Sequence, residues 1–399
     1  MLPDSLSDIH AITDRLLLEC GEFDAIEFLL RRGWLDYADQ LAWRRGERDS
    51  LQSALNLPLT EVIAKLEAAI RYAKSQGLQR ELRPALRAPG SGVALITGSD
   101  PHFALLCSGL LRPPATRGQS DLFQDNAAAF ELDALQLALA EHRLDAATGQ
   151  LQRLQQRGQR DVEAYGRLIA AVDSQSPVEL RITEIEQRLA PEARRLLKAR
   201  ARDYLALLWI DIAGTLDGQA FDAVQPQRHA SHAWMQAGHW RQAAASITGE
   251  GEHWVDQPEL LARMATIQSR QHRLSEARGL RLQLCWRFPE QAVATLDALA
   301  EDEPDRALHR GWRAFNGAEL VLPVPLFPAW LLLADPQPRP GWPMDPGPMA
   351  TDEGHGLTVY RRVRQLLLEP EELAHRRALK ALQPELLQAF LAQRERLRV

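Results

Sequence analysis

The sequence contains few cysteines and few lysines, and it has no long uninterrupted apolar run. Its three cysteines, Cys20, Cys107 and Cys285, are far apart and form no CxxC pair, which argues against a zinc ribbon, a thioredoxin-like site or a disulfide framework. The longest apolar stretch, 320–334, is interrupted by prolines and cannot span a bilayer as one helix. We therefore expect a soluble cytoplasmic protein with no membrane partner.

The overall composition is that of an ordinary globular protein. Hydrophobic residues make up 45% of the 399 residues and charged residues 25%, which excludes a disordered or collagen-like chain. The length exceeds that of one ordinary core, so we expect two or more domains or an elongated array of small units. The 53 acidic residues outnumber the 47 basic ones, whereas proteins built mainly to hold phosphate backbones normally carry a positive surplus.

Nearly all of the basic residues are arginines, since the chain has only four lysines. The guanidinium group suits planar ion pairs better than an ammonium group does. We therefore expect a share of the arginines to pair with aspartate and glutamate at the surfaces where helices pack.

Apolar residues recur at helical spacing through most of the chain, which predicts an all-α fold. The predicted organisation is an N-terminal helical subdomain (1–82), an irregular Pro/Gly-rich connector (83–125), a helical-repeat domain (126–315), a Pro-rich loop (316–354) and a C-terminal helical cap (355–399). Inside the connector only Val93–Thr97 looks like a strand, and Pro101 is expected to interrupt regular structure. The apolar residues 324–333 are expected to dock into the helical body through Phe327 and Trp330.

Two helix turns share a spacing of small and bulky residues. The positions that carry the pattern are Gly238, Trp240, Ala243, Leu274, Ala277 and Pro289, with the two alanines 34 residues apart. Over about residues 229–290 the pattern resembles the tetratricopeptide repeat, a helix-turn-helix unit in which the small residues let two helices approach closely. His272 stands where that family usually has a turn glycine. A looser match at 142–147 does not fit the 34-residue spacing, so a degenerate array is expected rather than a regular one.

The resemblance implies a degenerate tetratricopeptide-like α–α superhelix that serves as a non-catalytic scaffold or adaptor for a protein or peptide partner. In that family the first helix of each pair lines a concave binding face. The residues that would line it here are Arg228, His232, Gln236, Arg263, Thr266 and Arg270. Their guanidinium groups would favour an acidic or carboxylate-terminated segment. The alternative is that these arginines only neutralise Glu259 or Asp256 at the surface.

Two other functions stay open at this point. A nucleic-acid-associated protein could use an N-terminal arginine cluster (Arg31, Arg32, Arg44, Arg45 and Arg48) with Trp34, Tyr37 and Trp43 for base stacking, and a C-terminal cluster at 361–398. Against it, Trp34 would belong to the core and the arginines would pair with acidic neighbours such as Glu27 and Asp39.

An enzyme would have its site where the 83–125 tract folds over the helices. The sequence contains no catalytic motif, however, and the His229/His232 pair is better interpreted as packing or surface histidine than as metal ligands. We therefore expect no enzyme activity, no metal and no other cofactor.

Overall fold

The protein is mostly helical, with very little sheet. The computed structural model describes residues 6–82, 94–113, 124–159, 161–299, 305–318, 322–334, 354–370 and 372–398. The chain divides into two compact units, residues 1–246 and 247–399, and this division lies inside the predicted repeat domain. No helix in the described ranges is both long enough and apolar enough to cross a membrane.

The first unit begins with helices that carry a small antiparallel sheet. The helices are α1 (Leu6–Cys20), α2 (Ala25–Arg31), α3 (Tyr37–Arg44), α4 (Leu59–Ser75) and α5 (Pro101–Cys107). The strands are β1 (Phe23–Asp24), β2 (Gln79–Leu82) and β3 (Gly109–Arg112), in the order β1-β3-β2. The core of this region includes Phe28, Trp34, Leu66 and Phe103, none more than 1% exposed.

The sheet differs from the strand predicted at Val93–Thr97, since residues 95–97 have no regular structure. Helix α2 begins at Ala25, where the Asp24 side chain accepts a hydrogen bond from the backbone N–H of Ile26 (3.0 Å). Phe23 itself pairs with Leu111 of β3. Strands of two to four residues are too short to show an alternating pattern.

The predicted irregular connector, 83–125, contains regular structure in its described part. Pro101 opens α5 rather than interrupting it, because the first turn of a helix needs no donor from that residue. Asp100 caps the helix by accepting hydrogen bonds from the backbone N–H groups of His102 (2.8 Å) and Phe103 (2.9 Å). Strand β3 then joins this tract to the N-terminal helices. Residues 83–93 and 114–123 lie outside the described ranges.

The rest of the first unit forms a second hydrophobic core. Its helices are α6 (Gln124–Ala140), α7 (Leu144–Gln156), α8 (Val162–Val172), α9 (Val178–Glu184), α10 (Ala190–Leu197), α11 (Ala201–Leu216) and α12 (Ala230–Gln236), and α13 (Trp240–Thr248) begins in this unit. A π-helical turn at 185–189 joins α9 to α10. Leu135, Leu168, Tyr204 and Ile212 are fully buried in this core.

The second unit has its own core. Its helices are α14 (Pro258–Arg270), α15 (Leu274–Arg287), α16 (Pro289–Asp297), α17 (Arg306–Asn316), α18 (Phe327–Ala334), α19 (His355–Leu368), α20 (Leu373–Leu382) and α21 (Pro384–Arg398). Leu284, Phe327 and Tyr360 are fully buried in it. Pro289 opens α16 directly after α15 ends, and a proline is tolerated in the first turn of a helix.

Helix α18 corrects the prediction that 316–354 is a loop. Pro328 lies in its first turn, where a proline is tolerated. The expected docking is confirmed, since Phe327 is fully buried and Trp330 is half-buried against the same core. Helix α19 approaches the chain before α18 closely: a Cβ atom on Gly356 would lie 2.4 Å from the carbonyl oxygen of Pro325. Residues 335–353 of the predicted loop lie outside the described ranges.

Three turns between helices combine a fully buried alanine with a backbone geometry that also occurs at other helix ends, such as those at Gly33 and Gly158. In each, one residue has a positive φ, and the N–H of the next residue donates to the carbonyl oxygen five positions before it. The positive-φ residues are His142 (53°), Gly238 (74°) and His272 (59°), and the three N···O distances are 2.8, 2.9 and 2.9 Å. An alanine follows five residues later in each case, and Ala147, Ala243 and Ala277 are all fully buried.

Replacing Ala277 by leucine is expected to destabilise the second unit by about 1–3 kcal/mol, because no space remains beside a fully buried alanine. Chemical denaturation of the full chain measures the change. Ala294→Leu is the matched control, since Ala294 is exposed on α16 of the same unit and should tolerate the larger side chain. An unchanged denaturation midpoint for Ala277→Leu would contradict the close helix packing inferred here.

Candidate functional site

The predicted partner-binding residues of the first unit lie just before and on α12, and two of the three are already engaged. Arg228 ends a short 3-10 turn and forms an ion pair with Glu179 (2.9 Å). His232 Nε2 lies 3.0 Å from a carboxylate oxygen of Glu186. Gln236, at the end of α12, is exposed. The other three predicted residues belong to the second unit.

In the second unit, Arg263 is not at the surface, which corrects the prediction. It is 5% exposed, its Nε lies 3.1 Å from Glu259, and burial lowers the pKa of its guanidinium group. The long aliphatic stem of an arginine lets it be buried beside apolar side chains, so helical spacing alone did not reveal this. Thr266 is half-buried and donates to the carbonyl oxygen of Ala262 (3.1 Å), and Arg270 is half-buried in the last turn of α14.

Burial differs among the positions that carry the repeat resemblance. Ala243 and Ala277 are fully buried, whereas Trp240 and Leu274 are only half-buried. Trp240 lines an open pocket, described below.

The N-terminal arginine cluster has no exposed aromatic platform. Trp34, Tyr37 and Trp43 are 1%, 5% and 1% exposed, so they cannot stack on bases. The cluster's ion pairs in the described structure include Arg31 with Glu19 (2.6 Å) and Glu27 (3.1 Å), Arg44 with Asp203 (2.6 Å), and Arg48 with Asp39 (2.6 Å). These contacts follow the interpretation in which Trp34 belongs to the core and the arginines neutralise acidic groups. In the C-terminal cluster, the side chains of 392–398 lie outside the described ranges.

Ion pairs between residues distant in sequence hold α11 against the N-terminal helices. Arg202 donates to Glu27 Oε2 (3.0 Å), and its Nη2 forms an ion pair with Oε1 (2.9 Å). Asp203 accepts from the hydroxyl of Tyr37 (2.7 Å) and from Arg44 (2.6 Å). Burial, reinforced by the charge of Asp203, raises the pKa of Tyr37 well above its usual range. The charged groups of these ion pairs line a cavity of about 340 Å³. Because they already form hydrogen bonds and ion pairs with one another, we assign them a structural role, which is to hold α11 against the N-terminal helices.

A second cavity of about 300 Å³, here named the His239 pocket, lies between α3 and the turn that joins α12 to α13. One wall is a single face of α3, with the small side chains of Ala38 and Ala42 leaving the space. The other wall consists of His239, Trp240 and Arg241 from the turn and the first turn of α13. The pocket is open to solvent and has room for one side chain of a partner.

Polar groups in the His239 pocket are buried with few partners. His239 is 9% exposed, and neither ring nitrogen has a hydrogen-bond partner in the described structure. Its ring stacks on Trp234 at 5.3 Å between centroids. Burial, and then the positive charge of Arg45, lowers the pKa of His239, which favours the neutral ring. Burial raises the pKa of Asp36, whose carboxylate accepts one hydrogen bond, from Asn56 (3.2 Å).

Gly238 is the residue that lets the two walls of the pocket come together. Its φ of 74° favours glycine, and a Cβ atom there would lie 3.2 Å from the Cβ of Tyr37 on α3. The sequence predicted Gly238 as a small turn residue but gave no sign of its neighbour. The only sequence signal for the opposite wall was the acidic pair Asp36 and Asp39 beside the buried Trp34.

The cysteines do not provide an activated nucleophile. Burial raises the pKa of Cys20 and of Cys285, which disfavours the thiolate form that reacts. Cys107 is buried at the end of α5. His229, considered above as a metal ligand, is 2% exposed and caps α12 by accepting from the backbone N–H of Ser231 (3.3 Å).

Comparison with protein-family models, with curated protein sequences and with solved structures finds no match for this chain.

Proposed function

We propose that the protein is a non-catalytic scaffold or adaptor that binds a protein or peptide partner through its helical hairpins. The His239 pocket then holds one side chain of the partner. The observation that carries the proposal is this pocket: it is open, it has room for a side chain, and it contains buried polar atoms that have no hydrogen-bond partner among the described residues. Buried polar groups are normally hydrogen-bonded, so an exception beside an open cavity is where a ligand would supply the missing bonds.

The fully buried alanine five residues after each of these three turns supports a tetratricopeptide-like arrangement as part of this proposal. Stacked hairpins of this kind produce extended surfaces that bind peptides or partner domains. The pocket adjoins one of these turns, the one at Gly238. A partner that binds along the hairpins would therefore pass the pocket.

The prediction of an acidic partner is weakened by the positions of the arginines on which it was based. Of the three arginines from which it was predicted, Arg263 is buried beside Glu259 and Arg228 is paired with Glu179. An ion-paired guanidinium group already has part of its charge neutralised, so it attracts an additional carboxylate less strongly. We therefore base the choice of partner on the pocket.

Filling the His239 pocket is expected to prevent partner binding. Ala42→Leu places a larger side chain in the cavity from the α3 wall, while Ala64→Leu makes the same change at an exposed position of α4. A photo-crosslinking residue introduced at the exposed Gln242, which lines the pocket, identifies the bound protein in extracts of the native host. We expect Ala42→Leu to reduce crosslinking of that protein by about tenfold or more.

The control Ala64→Leu should crosslink as the parent chain does, and far-UV circular dichroism and thermal midpoints establish that both variants fold. If Ala42→Leu folds and crosslinks the same protein to the same extent, the pocket takes no part in binding and the proposal fails. Absence of any specific crosslinked protein from Gln242 would contradict it as well.

A further inference from the structure

In the described structure, most of the polar atoms in the His239 pocket that lack a hydrogen-bond partner are acceptors. Asp39 uses one carboxylate oxygen, Oδ1, to accept from Arg48 (2.6 Å), while its Oδ2 is buried and accepts no hydrogen bond in the described structure. Asp36 is 5% exposed, and among the described residues its carboxylate accepts only from Asn56. A neutral His239 adds one ring nitrogen that can accept. A buried carboxylate with so few donors is costly, and a donor group that enters the pocket offsets that cost.

One cation of the chain already lies near these acceptors without bonding to them. Arg241 Nη2 is 3.3 Å from Asp39 Oδ2, but the geometry makes no hydrogen bond, and the Arg241 side chain is 63% exposed. Such an exposed ion pair contributes little stability and is easily exchanged. Arg241 therefore occupies the position that a better-placed cation could take.

We propose that the His239 pocket binds the guanidinium or ammonium group of a basic side chain from the partner, with Asp36 and Asp39 Oδ2 as the acceptors and Arg241 displaced. This inference rests on the proposed function, since it names the chemistry of the partner residue held in the pocket. The small residues Ala38 and Ala42 and the half-buried Trp240 line the passage, and they suit the aliphatic stem of an arginine or lysine.

The charges and ligands that line the pocket favour an organic cation over the alternatives. An anion would meet the carboxylates of Asp36, Asp39 and Glu47, against the guanidinium groups of Arg45 and Arg241. A metal ion would need three or more carboxylate, imidazole or thiol ligands together, and no such group occurs among the described residues. Guanidinium and ammonium groups instead bring several donors on one cation, which matches acceptors on two carboxylates and an imidazole.

The test measures binding of acetyl-Gly-Arg-Gly-amide to the full chain by isothermal titration calorimetry and by NMR. The peptide acetyl-Gly-citrulline-Gly-amide has the same shape without the charge, and acetyl-Gly-Lys-Gly-amide carries an ammonium group. We expect the arginine or the lysine peptide to bind at least about tenfold more tightly than the citrulline peptide, because the carboxylates favour a cation. Equal binding of the charged and uncharged peptides, or no binding of any, overturns the proposal.

Two variants test whether the peptide binds in the His239 pocket and whether the pocket prefers a positively charged ligand. Asp39→Asn should weaken binding of the basic peptide by about tenfold or more, while Arg241→Gln should tighten it because the competing cation is removed. The matched control is Arg143→Gln: Arg143 is also an exposed arginine in an ion pair, with Glu141 (2.7 Å), but it lies outside the pocket. Because Arg241 is exposed, its variant tests the proposal even if Asp39→Asn fails to fold. Weaker binding of the basic peptide by Arg241→Gln would show that Arg241 supports the site and does not compete for it, and it would overturn the proposal.

The outcomes for the peptide and for the partner are separable. If Ala42→Leu abolishes crosslinking of the partner but no basic peptide binds, the chemistry assigned to the pocket is wrong while the scaffold proposal stands. If basic peptides bind in the pocket but Ala42→Leu leaves crosslinking unchanged, the scaffold proposal fails at this site and the cation site remains.

Discussion

Replacing Asp305 by alanine is expected to lower the free energy of unfolding of the second unit by about 3–5 kcal/mol. Asp305 is 2% exposed and binds Arg278 through two hydrogen bonds, Nε to Oδ2 at 2.8 Å and Nη2 to Oδ1 at 2.5 Å. Its Oδ1 also accepts from the backbone N–H of Leu308 (3.2 Å) and so caps α17. Alanine removes both the counter-ion of a largely buried guanidinium group and the cap.

Urea denaturation of the full chain, followed by tryptophan fluorescence, measures this loss, since Trp312 on α17 is buried in the same core. The matched control is Asp256→Ala. Asp256 also pairs with an arginine of this unit, Arg287 (2.5 Å), but the pair is exposed and screened by water, so its loss should have a far smaller effect. A result in which both substitutions change the midpoint equally would show that burial does not decide the strength of these pairs.

The helices were predictable because their signals are local, and the sheet was not. The apolar stripe of α4, which includes Val62, Leu66 and Ala69, repeats at helical spacing within one segment, and all three residues are buried. By contrast β3 forms only where Leu111 meets Phe23 and Arg80 across long stretches of chain. Strands this short carry no periodic pattern of their own, so only the folded chain reveals them.

The effect of two prolines was predicted wrongly for a related reason. Pro101 and Pro328 were interpreted as interruptions, yet each lies in the first turn of a helix, where its missing N–H is not needed. Asp100 before Pro101 is a recognisable capping residue and could have indicated the helix start. The residues before Pro328 include two other prolines and offer no such cap.

The candidate site was predictable only on one side. The turn at Gly238 and the residues Trp240 and Ala243 were identified from spacing, because the pattern is local. Their opposite wall, α3, comes from a distant part of the chain, and nothing in the sequence pairs Asp39 with His239. The predicted exposure of Arg263 was also wrong. Arg263 lies off the apolar stripe of α14 yet is buried, because its charge is balanced by Glu259 four residues earlier.

Replacing Asp203 by alanine is expected to destabilise the first unit by about 2–4 kcal/mol. The buried hydroxyl of Tyr37 would lose its acceptor, and Arg44 would lose its counter-ion. Since the Arg44 side chain is 35% exposed, water screens part of its charge, and we attribute most of the loss to the unsatisfied hydroxyl. Urea denaturation measures the total effect.

Amide hydrogen exchange is the measurement that will show which helices lose stability in the Asp203→Ala variant. Asp203 lies on α11, and both of its partners lie on α3, so amide exchange in α3 should accelerate more than exchange in α8. Tyr37→Phe removes the hydroxyl alone and leaves the ion pair of Asp203 with Arg44, so it should cost less, about 1 kcal/mol. Asp133→Ala, which breaks an exposed pair with Arg200 (2.8 Å), is the control for a general loss of acidic charge.

The same substitution should also weaken the His239 pocket, because α3 forms one of its walls and Tyr37 of α3 lies close to Gly238 in the turn that leads to the other wall. If α3 opens more often, the pocket is in its binding-competent conformation for a smaller fraction of the time. The apparent affinity for a basic peptide falls in proportion to that fraction. We therefore expect Asp203→Ala to weaken peptide binding more than Tyr37→Phe does, and Asp133→Ala to leave it unchanged. Unaltered binding by an Asp203→Ala chain with accelerated exchange in α3 would show that the pocket does not depend on this wall.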